Sequence, residues 1–143
     1  MTARAWRSGV ACVLAAVACA PGSGKRETSA LLNAVDGYRR ADTSAKANRV
    51  AALQTVTCSE PPVCDAKAVC VAAVEPTTRA LLLKDEVAAR LADIEQRRLA
   101  PDAPEASALP GKLDEAQRLL ETGRQKMTEC ERRLSDLRVE YGS

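Results

Sequence analysis

The chain has 143 residues, of which 21 are basic and 19 acidic, and it contains no histidine and no phenylalanine. The absence of histidine removes the usual general base, the Ser-His-Asp arrangement, the Cys-His pair and histidine-ligated metal or haem. The near balance of charge gives no general attraction to nucleic acid, which requires a clustered basic surface. We therefore expect no enzyme, no cofactor and no nucleic-acid partner.

Residues 1–18 are predicted to be a signal peptide. Arg4 and Arg7 precede an apolar run that extends to Ala18. This run is shorter than the roughly 20 apolar residues that span a bilayer as a helix, and small residues follow it, as they do at a cleavage site. The sequence therefore predicts a segment that directs export and is then removed. Loss of its two arginines leaves equal numbers of basic and acidic residues.

The end of this segment resembles a bacterial lipobox. In Ala16-Val17-Ala18-Cys19 small residues precede a cysteine, although Ala16 stands where leucine is commonest. The resemblance implies that Cys19 is diacylated, becomes the mature N-terminus and anchors the protein to a membrane, facing the periplasm of a bacterial cell envelope. Ordinary cleavage after Ala18 or Ala20 is the alternative. No family resemblance extends to the rest of the chain.

Residues 19–28 are predicted to be a lipidated tether, and residues 29–143 one helical bundle domain. Pro21-Gly22-Ser23-Gly24 has no apolar side chain to bury, and composition of this kind is typical of flexible linkers. The domain is predicted to be all-α because alanine, leucine, arginine and glutamate dominate it. Its only aromatic residues are Tyr38 and Tyr141, whereas strands favour β-branched and aromatic side chains.

The first helix is predicted over residues 29–57 and the second over residues 66–99. Asp42 and Arg49 interrupt the apolar stripe of the first helix. Pro76 predicts a kink or short break in the second, because proline lacks the amide donor and collides with the preceding turn. The inward positions of the first helix are Leu31, Val35, Tyr38, Ala45, Ala52 and Val56. Those of the second are Ala80, Leu83, Val87, Leu91 and Ile94.

The third helix, over residues 110–141, has the clearest periodicity. Gly123 lies on its seam and permits a close helix approach. The spacing of apolar residues is that of a coiled coil, and turns at 59–64 and 100–110 contain prolines. Together these patterns predict a three-helix antiparallel bundle. The seam consists of Leu113, Leu120, Met127, Leu134 and Tyr141 every seven residues, with Ala116, Gly123, Cys130 and Leu137 between them.

Four cysteines remain if Cys19 carries lipid, and an even set predicts two disulfides in an oxidising compartment. Cys64 and Cys70 in one helix would lie about 9 Å apart along its axis, too far for the usual Cα separation of up to about 7 Å. We favour Cys58–Cys64 with Cys70–Cys130; the alternative is Cys58–Cys70 with Cys64–Cys130. Zinc is disfavoured because five residues separate neighbouring cysteines here, whereas zinc pairs usually have two to four.

Two functions remain open. The first is a lipid-anchored structural or interaction protein of the envelope, which offers the third helix to another envelope protein or to a second copy. The second is a carrier that holds an apolar ligand between its helices. The alanine-rich core favours close packing over a cavity. A narrower form of the first, an exported short coiled coil with cysteines, is similar in general plan to phage spanin lysis proteins, although no motif carries that resemblance.

Overall fold

The computed structural model describes residues 22–142, and over that range the chain forms helices and turns with no strand. The all-α class is therefore confirmed. The predicted signal peptide and Cys19 lie outside the described residues. The helices are α1 (Ser23–Arg40), α2 (Thr43–Gln54), α3 (Pro61–Glu95), the single turn α4 (Pro104–Ser107) and α5 (Leu109–Tyr141).

The predicted first helix is wrong in one respect, because two helices occupy its place. Ala41 and Asp42 have extended backbone, with ψ of 142° and 157°, and the chain reverses direction between α1 and α2. A continuous helix would hold the Asp42 carboxylate on the buried stripe. In the observed structure this carboxylate is at the surface. The buried face of α2 is also rotated from the predicted one, so that Leu53 is buried while Ala52, predicted inward, is exposed. The structure therefore has four longer helices in place of the three that the sequence predicts.

The predicted tether, residues 19–28, is also corrected where it is described. α1 begins at Ser23, and both Gly24 and Thr28 are buried. The ring of Tyr141 lies so close to Gly24 that a Cβ at this position would overlap its atoms. The glycine therefore serves close packing of α1 on the end of α5. Sequence composition suggested flexibility because this contact partner is more than a hundred residues away along the chain.

α3 continues without a break through Pro76. Proline cannot donate to the carbonyl of Ala72, the bond that an ordinary residue would make at this point. The next turn is supported by side chains, since the Thr77 hydroxyl donates to Ala73 at 3.1 Å and the Thr78 hydroxyl to Val74 at 2.8 Å. Packing against α1, α2 and α5 holds the helix together on several sides, so the predicted break does not occur.

α3 and α5 form an antiparallel helical hairpin. Its pairing is marked by the Cys70–Cys130 disulfide and by the contact of Gly123 with Thr77. Within the predicted inward face of α3, Ala80 and Val87 are buried, whereas Leu91 near the tip is 47% exposed. The small seam residues allow the two helices to approach closely over most of their length.

α1 lies alongside only the first part of α3. At its start Ser23 donates to Glu60 at 2.8 Å, and near its end Tyr38 donates to the Val74 carbonyl at 3.2 Å. α2 returns along the same stretch, and its Gln54 donates to Glu75. We call the part where α1 and α2 cover the hairpin the base. We call residues 79–95 and 109–122, which continue beyond it, the arm.

Candidate interaction surface

The base is closed at its free end by Glu27. Its carboxylate accepts hydrogen bonds from the Ser59 amide at 2.8 Å, the Glu60 amide at 3.2 Å and the Ser59 hydroxyl. These bonds, the one from the Ser59 hydroxyl first, lower the pKa of Glu27 below its ordinary value of 4.5. The residue thus joins α1 to the turn before α3 and satisfies amides at the start of that helix.

Replacing Glu27 with alanine is expected to lower the free energy of unfolding by about 1 kcal/mol, since three hydrogen bonds to a partly exposed carboxylate are lost. Lys25→Ala, at an exposed neighbouring position, is the control and should leave stability nearly unchanged. Because folding lowers the pKa of Glu27, this contribution is fully present above the unfolded value of 4.5 and is lost as the pH falls through the lower pKa of the folded state. Urea unfolding at pH 7 and pH 3 measures both effects; an equal loss at the two pH values would contradict the assignment.

Two disulfides fix the base, and they are the pairings that the sequence analysis favours. Cys58–Cys64 spans the turn between α2 and α3 with a Cα separation of 5.3 Å. Cys70–Cys130 joins α3 to α5 with a Cα separation of 4.8 Å, and both of its cysteines are fully buried. One bridge is therefore local, whereas the other links the two helices of the hairpin.

The end of α1 is held by a polar cluster around Tyr38. The phenol is buried and lies 3.0 Å from the Thr78 hydroxyl, in addition to its bond to Val74. Burial raises the pKa of this phenol. The Lys46 ammonium donates to the Tyr38 carbonyl at 2.8 Å and lies 4.3 Å from the ring centroid, in a cation–π contact. This cluster defines the level at which the base ends and the arm begins.

Beyond that level, the hairpin continues past the ends of α1 and α2 in the part of the chain that the structure describes. Seven residues are about two helical turns, so a step of seven returns to the same side of a helix. Val74, which contacts α1, is followed by Leu81 and Ala88, and Glu75, which contacts α2, is followed by Leu82. We call the resulting surface the arm face. It consists of Leu81, Leu82, Ala88, Leu113 and Leu120.

α5 contributes to the arm face by the same spacing. Arg39 at the end of α1 contacts the Met127 sulfur at 3.8 Å, and positions seven and fourteen residues earlier are Leu120 and Leu113. Leu113 is 45% exposed and Leu82 is 51% exposed, whereas Leu134 in the base is buried. Within residues 22–142, α1 therefore contacts the second half of the predicted coiled-coil stripe, whereas Leu113 in the first half is exposed.

Ion pairs join the two helices of the arm. Arg79 of α3 lies 2.5 Å from Glu115 of α5, and Glu86 lies 2.5 Å from Lys112. Hydrogen bonding to Lys112 lowers the pKa of Glu86. Exposed ion pairs of this kind add little to stability because water and salt screen them. Both ion pairs therefore link α3 to α5 within the arm, and on α3 they flank Leu82, which is three residues after Arg79 and four before Glu86.

Between residues 22 and 142 no group of three or more His, Cys, Asp or Glu residues is placed to hold a metal ion. No helix in this range has the length and apolar character needed to cross a bilayer. The grooves are open; one of about 480 Å³ at the junction of base and arm is lined by Thr77, Leu120, Gly123 and Met127 among others.

Of the predicted functional residues, the structure describes the four disulfide cysteines and the third-helix stripe, while Cys19 lies outside it. Sequence reasoning missed the α3 half of the arm face and the role of Glu27. The run Leu81-Leu82-Leu83 was the available signal, because three consecutive leucines cannot all point into one seam of a helix.

Comparison with known proteins adds no assignment. No protein-family model, no curated protein and no solved structure matches the chain.

Proposed function

We propose that this is a non-catalytic, lipid-anchored protein of the bacterial cell envelope, which binds a protein partner through its arm face. The observation that carries the proposal is the division of one apolar stripe. Within residues 22–142, Met127, Leu134 and Tyr141 pack with the core that includes α1, whereas Leu120 is half-buried and Leu113 is 45% exposed. Exposed leucines grouped on one hairpin, here Leu82 and Leu113, are typical of protein interaction surfaces.

The position of α1 supports an orientation relative to the membrane. α1 begins at Ser23 in the base, so only the short segment from Cys19 separates a lipid at that residue from packed structure. Four residues reach at most about 14 Å. The base therefore lies next to the bilayer, and the arm, about 25 Å long from residue 79 to residue 95, extends from the far end of the base.

The disulfides support export. Both pairs are formed within the base, and disulfides persist in oxidising compartments such as the periplasm. A chain of this size with few aromatic residues gains stability from such bridges because its core buries a limited apolar area per residue.

Replacing Cys19 with serine is expected to move the protein from the membrane fraction to the soluble fraction, because the diacyl group supplies the anchoring. Cys12→Ser is the matched control, since Cys12 lies in the predicted signal peptide and should not affect fractionation. Metabolic labelling with a radioactive or clickable fatty acid should mark the wild type and the control alone. Retention of Cys19→Ser protein on membranes after a high-salt wash would contradict the proposal.

The arm face can be tested separately in cells by placing a photo-crosslinking amino acid at Leu113 or Leu82. Adducts are expected at both positions. Val139, which is 85% exposed on the base, is the control and should give none. Equal crosslinking at Val139, or none at either arm position, would count against the arm face as the binding surface.

A carrier for a small apolar ligand is the second candidate. The junction groove of about 480 Å³ favours it, since ligand sites usually have at least about 300 Å³. Arg124 and Glu131 also line this groove, which makes it more polar than a site for an apolar ligand. Binding of an environment-sensitive apolar dye, abolished by Met127→Glu and retained by Val139→Glu, would support the carrier function.

A further inference from the structure

We propose that the Cys58–Cys64 bridge is a thiol–disulfide exchange site, which a dithiol group of another protein opens and closes while Cys70–Cys130 stays oxidised. The site is separate from the arm face. Three observations carry the inference: the different burial of the two bridges, the open groove beside one of them, and the contacts that hold the turn independently of the bridge.

The two bridges differ in their access to solvent. Cys70 and Cys130 are 0% exposed between α3 and α5, so a thiol of another molecule does not reach their sulfurs in the folded chain. Cys58 and Cys64 are only partly buried, and both line an open groove. Exchange requires a thiolate to approach a disulfide sulfur, and access is one of the factors that set its rate. The fold therefore leaves one bridge open to exchange and protects the other.

The groove beside the Cys58–Cys64 bridge gives an incoming segment a place to bind. It has a volume of about 470 Å³ and lies between the turn after α2 and one side of α3. From residue 64 to residue 75 the helix rises about 16 Å, which is the length of about five extended residues. A short extended segment that carries a dithiol therefore fits along it. The apolar lining consists of Ala68, Val71 and Ala72, and the far end of Gln54 and Glu75.

Cys64 is the better leaving group of the two cysteines. It is in the first turn of α3, a helix of 35 residues whose N-terminus carries partial positive charge, and helical side chains tilt toward that end. Lys67, three residues later, is on the same side of the helix and lines the same groove. Cysteine thiols at helix N-termini or beside lysine have a lowered pKa. The disulfide therefore breaks most readily with Cys64 as the departing thiolate.

The carboxylates nearest to Cys64 do not cancel this effect. Glu60, at the N-cap of α3, accepts a hydrogen bond from the Ser23 hydroxyl at 2.8 Å. Glu27 is engaged with the amides of the turn. Asp65 is exposed and is the next residue in the helix, about 100° around its axis from Cys64. Lys67 is thus the charged side chain that shares both the helix side and the groove with this cysteine.

The exchange conserves electrons and protons. One thiol of the incoming dithiol attacks the Cys58 sulfur as a thiolate, the Cys58–Cys64 bond breaks, and Cys64 leaves as a thiolate. The second thiol, deprotonated in turn, attacks its partner sulfur in the mixed disulfide, closes a disulfide on the other protein and releases Cys58. The two protons of the dithiol pass through water to the released thiolates. Two electrons have then moved to the bridge, and the reverse sequence closes it again.

The turn is held on both sides of Cys58 by contacts that do not involve sulfur. The Val56 carbonyl accepts a hydrogen bond from Lys67 at 2.8 Å, and the Ser59 amide donates to Glu27 at 2.8 Å. The Cα atoms of the bridge are 5.3 Å apart, and these contacts keep the two thiols near that separation after reduction. We therefore expect the reduced chain to remain folded and the bridge to close reversibly.

Differential alkylation with peptide mapping tests the selectivity. The full chain carrying Cys12→Ser and Cys19→Ser is treated at pH 7 with dithiothreitol, and free thiols are trapped with iodoacetamide at intervals. Cys58–Cys64 is expected to open at least about 100-fold faster than Cys70–Cys130, with an unchanged circular dichroism spectrum. Opening of both bridges at the same rate, or of Cys70–Cys130 first, overturns the inference.

The groove is tested with a protein dithiol, reduced thioredoxin, as the probe. Ala72→Phe fills the groove about 12 Å along the helix from Cys64 and should slow reduction by thioredoxin about tenfold, while reduction by dithiothreitol stays within about twofold of the wild type. Ala89→Phe, at an exposed position of the same helix, is the matched control and should change neither rate. Failure of thioredoxin to open the wild-type bridge, or an unchanged rate in Ala72→Phe, would contradict the assigned site.

The leaving group is tested with single-cysteine variants of the bridge. Cys58→Ser leaves the Cys64 thiol free, and its reaction with an aromatic disulfide reagent should reach half its maximum at pH about 7.5 or below, whereas Cys58 in Cys64→Ser should stay near about 8.5. Lys67→Gln should raise the Cys64 midpoint, Lys67→Arg should retain it, and Lys84→Gln on the same helix is the control. A midpoint for Cys64 equal to or above that of Cys58 would overturn its role as the departing thiolate.

Discussion

Replacing Cys70 and Cys130 together with alanine is expected to lower the free energy of unfolding by about 4 kcal/mol and the melting temperature by about ten degrees or more. The bridge closes a loop with a sequence separation of 60, so its loss frees a large part of the unfolded chain. Both cysteines are fully buried between α3 and α5, and alanine also leaves unfilled space at their position.

The matched comparison is the double alanine variant of Cys58 and Cys64. This bridge has a sequence separation of 6, and the same chain-entropy argument gives about 2 kcal/mol. Circular dichroism melts of the two variants, with non-reducing peptide mapping of the wild type, provide the test. Equal destabilisation, or a peptide linking Cys64 to Cys130, would exclude the assigned pairing and favour the alternative that the sequence left open.

Replacing Gly123 with valine is expected to cost about 3 kcal/mol or more, because the added side chain cannot fit between the hairpin helices. Even a Cβ at this position overlaps the Thr77 hydroxyl, and it lies 3.2 Å from the Ala73 carbonyl oxygen. The hydroxyl can rotate, but the carbonyl belongs to the backbone of α3. The helices must therefore separate, which weakens packing along the whole seam.

Gly111→Ala is the control for this variant. Gly111 is in the first turn of α5 and has no neighbouring atom within 4 Å of an added Cβ, so alanine should stabilise the protein by up to about 1 kcal/mol through helix propensity. Urea unfolding of both variants measures the difference. If Gly123→Val were as stable as the wild type, the close approach of α3 and α5 at this level would be wrong.

Elements whose signals are local could be predicted from the sequence. α5 begins and ends within a residue of the predicted limits, because Pro110 suits the first turn and Gly142 closes the helix with a left-handed φ of 64°. Its seven-residue spacing also identified the buried seam positions Ala116, Gly123 and Cys130. These features follow from one segment of chain and the geometry of one helix.

Only the α5 residues of the arm face could be predicted from the sequence. Leu113 and Leu120 stood in the predicted stripe, but nothing local distinguishes them from Leu134, which is buried. The difference depends on how far α1 reaches along α5. That distance is set by Arg40, where α1 ends, and by the contact of Tyr38 with Val74, and both lie far from α5 in the chain.

The other features depend on contacts between helices that are distant in the chain. The reversal at Ala41 and Asp42 allows two short apolar faces to pack where one straight helix would bury a carboxylate. The continuity of α3 through Pro76 and the ordering of Ser23 and Gly24 into α1 depend on neighbouring helices. In each case the local preference is worth about 1–3 kcal/mol, and the apolar area buried by packing contributes enough to override it.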